Sequence, residues 1–277
     1  MKVLILGGTG LLGNALLKIL SKKFTAIGTT RVNQVGDQLN YVLVKDILDK
    51  NNLNNLIIDI KPDVVINCLS LRNFMSSSYT DLKLMYISLP QILTELSIKF
   101  NFRVIHISTD AVFSGKKGNY NENDTPDPID DYGKSKLLGE PNQKNCLVIR
   151  TSMIGHSING ETGLLDWFLK QKECTLYKNA IFSGLPVYEL SRIISEYFIP
   201  KNDLKGIFHI SAKPISKYEL LSVVKRLYDL DVCISADETY KIDRSLDSSK
   251  FLSTTGYRIK SWDDMITEMR EESYFNV

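Results

Sequence analysis

Three side chains near the middle of the chain have types and spacing that suit proton transfer to a carbonyl oxygen. Tyr132 and Lys136 are four residues apart, so on a helix both side chains project from one face. A lysine ammonium close to a phenol lowers the phenol pKa, which would make Tyr132 a proton donor near neutral pH. Thr109 would hold the same oxygen through its hydroxyl. In this order the three residues are typical of carbonyl reduction.

A second informative cluster lies near residue 10, where glycines are spaced GxxGxxG between a buried apolar run and leucines at helical spacing. Such glycines let a pyrophosphate approach the free N–H groups and the positive dipole end of a helix. A strand, a glycine loop and a helix in this order predict a dinucleotide site. The expected cofactor contacts in the loop are Gly7, Thr9, Gly10, Leu11, Leu12 and Gly13.

The end of the second predicted strand indicates which dinucleotide is bound. Sites that select NAD usually carry an acidic residue about 20 residues after the loop. Here the strand ends in Thr29-Thr30-Arg31, and no acidic residue occurs before Asp37. Because a cation attracts a 2′-phosphate through charge-assisted hydrogen bonds, we expect NADP(H) in preference to NAD(H), with Arg31 and Thr29 at the phosphate. The alternative is that Arg31 is a solvated surface residue.

These clusters require a framework of alternating strands and helices. That alternation predicts an α/β fold, a doubly wound parallel sheet of the Rossmann type, in residues 1–150, the expected NADP-binding domain. After residue 151 the alternation weakens, so residues 151–277 are expected to form mainly a smaller, partly interleaved substrate lobe. Strands are expected at 3–6, 25–28, 42–44, 63–68, 103–108, 146–150 and 206–211, and helices at 11–20, 47–60, 79–100, 132–140 and 217–228.

Composition excludes several classes of protein. Of the 277 residues 43% are hydrophobic and 24% charged, as in globular proteins. No run of 18 apolar residues occurs and the start leads into glycines, so neither a membrane span nor a signal peptide is expected. A net charge of +2 gives no reason to expect nucleic acid as a partner. Scattered cysteines and histidines predict no metal site and a reducing, cytoplasmic location.

Further segments give the chain a resemblance to a known family. It resembles the extended short-chain dehydrogenases/reductases and, within them, the dTDP-4-dehydrorhamnose reductases, which reduce a 4-keto-6-deoxy sugar nucleotide. The matching segments extend over nearly the whole chain. They are residues 7–13, 61–68 (KPDVVINC), 108–113 (STDAVF), 132–140 (YGKSKLLGE), 149–152 (IRTS), 208–211 (FHIS) and 244–250 (RSLDSSK).

The resemblance implies a role for each matching residue. Thr109, Tyr132 and Lys136 would be the catalytic set, and Lys136 would also bind the nicotinamide ribose. Asp110 would approach the sugar. The expected activity is NADPH-dependent reduction of a nucleotide-linked 4-keto-6-deoxy sugar for deoxysugar synthesis, and a homodimer is plausible. Further cofactor contacts are implied for Asp46, Ile47, Cys68, Leu69, Ser70 and Tyr132.

The sequence departs from the family at the expected substrate pocket. Ala111 stands where the family often has Tyr, and Met153 stands where it often has a Trp that faces the sugar. Residues 71–75 also replace a stretch of small residues and a charged pair. Met153 therefore indicates a reshaped substrate pocket, and the nucleotide and sugar are left open.

Two other functions are compatible with the same residues. A sugar-nucleotide epimerase uses the same tyrosine and lysine with a retained cofactor. A non-catalytic, NADP-binding regulatory subunit would tolerate loss of the catalytic set, all of which is present here. Dehydratases are disfavoured because they typically place Asp-Glu directly after the threonine, whereas Asp110 is followed by Ala111.

Overall fold

A seven-stranded parallel sheet forms the centre of the structure, a computed structural model that describes residues 1–32, 39–71, 76–158 and 163–274, with side chains described as far as residue 272. Its strands are β1 (Lys2–Leu6), β2 (Thr25–Thr30), β3 (Tyr41–Leu43), β4 (Val64–Asn67), β5 (Arg103–Ile107), β6 (Cys146–Arg150) and β10 (Gly206–His209). They lie in the order β10-β6-β5-β4-β1-β2-β3, and the reversal of strand order next to β1 is that of a doubly wound sheet. The predicted Rossmann-type α/β fold is confirmed.

Helices cover both faces of this sheet. Alternate residues of β1 enter different cores: Val3 and Ile5 face one, and Leu4 and Leu6 face the other. The helices are α1 (Leu11–Leu20), α2 (Lys50–Ile60), α3 (Tyr79–Lys83), α4 (Leu89–Phe100), α5 (Asp131–Leu138), α6 (Leu164–Leu169), α7 (Val187–Ile193), α8 (Lys217–Tyr228), α9 (Ser249–Thr255) and α10 (Trp262–Tyr274). The first core includes residues of α1 and α7, and the second includes residues of α2 and α4.

The segment predicted as one long helix at 79–100 is interrupted in its middle. A π-helical turn, Leu84–Ser88, joins α3 to α4, and Pro90 occupies the first turn of α4. Proline is tolerated there because the first N–H groups of a helix have no partner within it. The π turn places Tyr86 in the interior of the protein.

The second half of the chain contributes a smaller, separate sheet that the sequence did not predict. Its strands are β11 (Ile215–Ser216), β8 (Glu173–Phe182) and β12 (Cys233–Asp243), in the order β11-β8-β12. Helix α8, whose bounds match the predicted residues 217–228, packs on β8. Two short strands, β7 (Met153–Ile154) and β9 (Leu185–Pro186), form a further pair.

The two halves of the chain are interleaved through β10, which pairs with β6 at the edge of the large sheet. A strand was predicted at residues 206–211, and the observed strand ends two residues earlier. The role of residues 151–277 as a substrate-binding lobe stays a prediction. Within the described parts of the chain, every helix is too short or too polar to cross a membrane.

Candidate active site

The carboxyl ends of the central strands open into a cleft of about 760 Å³. Parallel sheets commonly bind ligands at this edge, where the strand order reverses. All but one of the residues predicted to bind the cofactor line this cleft, and so does Met153, which was predicted to face the substrate. The predicted residues in the lining are Gly7, Thr9, Gly10, Leu11, Leu12, Thr29, Arg31, Asp46, Ile47, Cys68, Leu69, Ser70, Tyr132 and Lys136.

The glycine loop is shaped by close backbone contacts. Gly7 has φ +85°, a left-handed conformation that favours glycine. Gly13 is not part of the cleft lining, and its role as a cofactor contact stays a prediction; what the structure shows is its packing on Gly7. A Cβ on Gly13 would lie 2.1 Å from the carbonyl oxygen of Gly7, so only glycine lets α1 pack this closely on the loop.

The start of α1 fits the pyrophosphate of a dinucleotide. Gly10 is the residue before the helix, and no side chain caps the helix there. The first N–H groups of a helix have no intrahelical acceptor, and together with the dipole they favour an anion. Gly10 has no side chain to obstruct such an anion, and it lines the cleft.

Thr29 lines the cleft and also contacts the glycine loop, and its contact with a phosphate stays a prediction. Its side chain is buried, and its hydroxyl accepts a hydrogen bond of 2.9 Å from the N–H of Gly7, so it shapes the glycine loop. Arg31 is exposed and lines the cleft where β2 ends. Lys45, which the sequence analysis did not identify, lines the same end because β3 pairs with β2. The predicted strand at 42–44 was the signal that could have revealed it.

The opposite part of the site holds the catalytic candidates. Tyr132 lies in the first turn of α5, and its side chain is hydrogen-bonded to that of Thr109. Thr109 follows the end of β5, and its hydroxyl accepts a hydrogen bond of 3.1 Å from the N–H of Ala111. A Cβ on Gly133 would lie 2.2 Å from the carbonyl oxygen of Ala111. This backbone contact is what brings Thr109 and Tyr132 together.

Lys136 is almost completely buried behind Tyr132. Its Nζ donates a 2.6 Å hydrogen bond to the carbonyl oxygen of Ile107. Burial lowers the pKa of Lys136 to about 8, although the nearby carboxylate of Glu140 opposes the shift. Burial also raises the pKa of Tyr132, and the neighbouring Tyr86 adds to this. Burial thus acts against the expected lowering of the Tyr132 pKa by Lys136, which stays a prediction.

A buried ion pair, missed by the sequence analysis, supports the site from below. Arg150 donates to Glu140 from Nε at 2.9 Å and from Nη2 at 2.7 Å, a two-point contact. Ser108, beside Thr109, donates to the same carboxylate at 2.6 Å. The pair joins the end of β6 to the residue just after α5, the helix that carries Tyr132 and Lys136. Both residues lie in matching segments, but nothing in their spacing indicated that they pair.

Charged residues from both halves of the chain surround Asp110, the residue predicted to approach the sugar. Thr109 donates to the carboxylate of Asp110 at 3.2 Å, and burial raises the pKa of Asp110 to about 6. The cations of Arg244 and Lys217 oppose that shift, so they lie close enough to interact with Asp110. Arg244 also contacts Asp130, which caps α5. The resemblance indicated Asp110, but the sequence analysis assigned no role to Lys217.

The remaining predicted cofactor residues lie along one wall of the cleft. Asp46 accepts the N–H of Leu48 at 2.9 Å, which shapes the turn after β3. The carbonyl oxygen of Cys68 would lie 3.3 Å from a Cβ on Gly7, so the segment after β4 packs directly on the glycine loop. Among the residues that the structure describes, no group of three or more His, Cys, Asp or Glu side chains could hold a metal ion.

This fold and site define an oxidoreductase of the extended short-chain dehydrogenase/reductase type. The family model described as the RmlD substrate binding domain matches residues 1–275, and the chain belongs to this family. The predicted resemblance to the dTDP-4-dehydrorhamnose reductases is confirmed.

Two curated relatives represent different functions. The chain is 32% identical over 243 residues to a dTDP-4-dehydrorhamnose reductase of Aggregatibacter actinomycetemcomitans, covering 79% of this chain and 76% of the relative. It is 31% identical over 248 residues to the methionine adenosyltransferase 2 subunit beta of Bos taurus, covering 83% of this chain and 72% of the relative. Similarity of this degree extends to both an enzyme and a protein named as a subunit.

Solved structures show the same architecture. A hypothetical dTDP-4-dehydrorhamnose reductase from Sulfolobus tokodaii has a TM-score of 0.81 at 28% identity, covering 95% of this chain and 98% of that one. A dTDP-4-dehydrorhamnose reductase from Bacillus anthracis, in complex with NADP, has a TM-score of 0.81 at 21% identity, covering 98% of this chain and 99% of that one. The second likeness supports the fold alone.

Proposed function

We propose that the protein is an NADPH-dependent reductase of a nucleotide-linked 4-keto-6-deoxy sugar. The observation that carries the proposal is the cleft itself. One cleft is lined both by the uncapped start of α1 and by Tyr132 and Lys136. A cofactor whose pyrophosphate lies at α1 therefore has room to extend to the hydrogen-bonded Thr109–Tyr132 pair.

In the proposed reaction this chain's residues hold the carbonyl oxygen and deliver a proton to it. NADPH, when bound, supplies the hydride for the carbonyl carbon. The raised pKa keeps Tyr132 protonated, so its phenol donates the proton to the developing alkoxide. Thr109 hydrogen-bonds the same oxygen, and the Lys136 ammonium stabilises the phenolate that remains and binds the cofactor ribose.

The preference for NADPH over NADH depends on the rim of the cleft near the end of β2. Arg31 and Lys45 place two cations there, and both are exposed enough to meet a 2′-phosphate. Asp46 is the acidic residue in this part of the lining, and its carboxylate is engaged by the N–H of Leu48. Two cations favour the additional phosphate of NADPH over the bare ribose of NADH.

The test is NADPH oxidation, followed by absorbance, with 4-keto-6-deoxy sugars linked to dTDP, UDP, GDP and CDP. We expect oxidation with one nucleotide series. In Tyr132→Phe turnover should fall by about 10²- to 10⁴-fold, the usual contribution of a general acid, with the Kd for NADPH unchanged. A fully active Tyr132→Phe variant would refute the assigned acid.

A second candidate, a non-catalytic NADP-binding subunit, is favoured by one finding. The chain is 31% identical to a methionine adenosyltransferase subunit, a relative named as part of an assembly, and this supports the alternative. Under this alternative the chain would bind NADPH tightly, consume none with any sugar nucleotide, and retain a partner enzyme in a pull-down. An epimerase would convert a sugar nucleotide without net NADPH consumption.

A further inference from the structure

Tyr86, which belongs to none of the sequence motifs, contacts three parts of the candidate site. It lies in the π turn between α3 and α4 and is 1% exposed. Single π turns inside helices occur frequently at functional sites. A buried tyrosine needs a partner for its hydroxyl, and the partner of Tyr86 is the wall of the cleft.

The hydroxyl of Tyr86 fixes the segment that follows Cys68. It accepts a hydrogen bond from the N–H of Leu71 at 2.9 Å and shares another with the Ser70 hydroxyl at 2.9 Å. Ser70 and Leu71 both line the cleft in the part expected to hold the cofactor. A buried phenol with these two partners holds that wall at a fixed distance from the π turn.

The ring of Tyr86 contacts both ionisable catalytic candidates. It meets the Tyr132 ring edge to face, with ring centroids 5.4 Å apart and an angle of 80° between the planes. The Nζ of Lys136 lies 5.2 Å from the centroid of the Tyr86 ring. A buried cation at this distance is attracted by the negative face of an aromatic ring.

The backbone of Tyr86 is locked against the catalytic helix. A Cβ on Gly139, at the end of α5, would lie 1.7 Å from the carbonyl oxygen of Tyr86. The π turn and α5 are thus in direct backbone contact, and neither can shift without the other. A displacement of Tyr86 would be transmitted to Tyr132 and Lys136.

We propose that Tyr86 is a positioning residue, which fixes Tyr132, Lys136 and the Ser70–Leu71 wall relative to one another and whose ring stabilises the charged form of Lys136. The proposal deepens the proposed reductase function and rests on it for its kinetic consequences. Cofactor binding and the charge of Lys136 can be measured without turnover.

Four groups face the ammonium of Lys136. Glu140 follows the end of α5, Cys68 follows β4, His106 lies on β5, and Tyr86 comes from the π turn. Burial lowers the pKa of His106 well below its usual value, and burial raises the pKa of Cys68, so both are neutral between pH 7 and 9. In this range burial lowers the pKa of Lys136, the Glu140 carboxylate opposes that shift, and the ring of Tyr86 lies against the ammonium.

The first experiment removes only the hydroxyl. In Tyr86→Phe we expect the Kd for NADPH, measured by fluorescence, to rise about 3- to 10-fold, the loss typical of one or two neutral hydrogen bonds. The matched control is Tyr257→Phe, since the Tyr257 hydroxyl donates to Glu189 and does not line the cleft. Equal NADPH affinity in wild type, Tyr86→Phe and Tyr257→Phe would overturn the positioning of the wall.

The second experiment removes the ring. In Tyr86→Leu we expect the pKa of Lys136, measured by NMR titration with Lys136→Met for assignment, to fall by about half to one unit. The alkaline decline of kcat should move to lower pH by the same amount, because Lys136 loses its charge earlier. Phe251→Leu, another buried aromatic, controls for packing loss. An unchanged Lys136 titration, with stability loss equal to that of Phe251→Leu, would show a merely structural role.

Discussion

The half of the chain that carries the glycine loop and the small three-stranded sheet of the second half are stabilised in different ways. In the former, strands such as β4, β5 and β6 are buried along their whole length. In the latter, most residues of β12 are exposed or half-buried. The buried sheet therefore positions the predicted cofactor and catalytic residues. The exposed sheet belongs to the half of the chain in which substrate-specific variation is expected.

The ion pairs repeat this contrast. Glu140 and Arg150 have side chains 6% and 3% exposed and meet at 2.7 Å under the catalytic helix. Lys178 and Glu238 connect β8 to β12 at 2.8 Å but are 44% and 68% exposed. Removing one partner of a buried ion pair leaves the other charge unpaired in the interior, whereas water solvates the remaining partner of an exposed pair.

The largest effect should follow from breaking the buried pair. Arg150→Met leaves the Glu140 carboxylate in the interior with Ser108 as its remaining donor, and we expect the free energy of unfolding to fall by about 3–5 kcal/mol. Denaturant unfolding followed by circular dichroism measures it. A fall in the free energy of unfolding below about 1 kcal/mol would mean that removing one partner of this buried pair costs no more than removing one partner of a surface pair.

The next effect concerns acid stability at β10, where the two halves of the chain meet. The Nδ1–H of His209 donates to the carbonyl oxygen of Tyr120 at 2.9 Å, and Nε2 faces the Arg150 cation. Burial, aided by Arg150, lowers the pKa of His209 to about 4. Because the pKa of His209 is lower in the folded protein, the unfolded chain binds the proton more readily as the pH falls below 6.5. The free energy of unfolding is therefore highest above pH 6.5 and falls by about 3 kcal/mol in all as the pH drops through 4.

Unfolding free energies at pH 7, 5 and 4 would measure that loss. In His209→Gln the decline over this interval should be smaller than in wild type. If both proteins lose the same stability, acid sensitivity resides in other groups and β10 does not couple the two halves.

A smaller effect is expected at the cofactor rim. Arg31→Ala and Lys45→Ala should each weaken NADPH binding about 10-fold and leave NADH binding unchanged, because each removes one charge-assisted contact to the 2′-phosphate. Isothermal titration with both cofactors measures the ratio. The control is Lys50→Ala, which removes a cation that pairs with Glu95 on the surface. Equal affinities for the two cofactors in the wild type would contradict the assignment.

The smallest effect belongs to the exposed sheet. Lys178→Met should leave the free energy of unfolding unchanged within the error of the measurement, because the pair is solvated and screened by salt. The assay is the denaturant unfolding used for Arg150→Met. A loss as large as the one at Arg150 would remove the contrast between the two regions.

The same contrast explains which elements could be predicted. The strands of the first half are short apolar runs, and each pairs with a neighbour in a pattern that strand–helix alternation dictates. β8 and β12 are half-exposed and lack a continuous apolar run, and they pair across about 60 residues, as in Cys233 with Glu173. Nothing local in either segment indicates that pairing.

Within the site, spacing revealed the residues that act together on one element. Tyr132 and Lys136 share a helix face, and the glycines share a loop. Tyr86 and Lys45 could not be found this way, because their neighbours come from distant segments and are brought together only by the sheet order and the π turn. Thr29 lines the cleft, where its hydroxyl accepts from the N–H of Gly7, a contact that its spacing did not indicate.

The central claim, that one cleft joins the cofactor site to Tyr132 in a reductase, is tested most directly by isotope transfer. The protein is incubated with NADPH deuterated at nicotinamide C4, on the face it uses, and with the 4-keto-6-deoxy sugar nucleotide that supports turnover. We predict a product one mass unit heavier than that made with unlabelled NADPH, together with one equivalent of NADP⁺. An unlabelled product formed without NADP⁺, or tight NADPH binding with no product from any nucleotide series, would contradict the account.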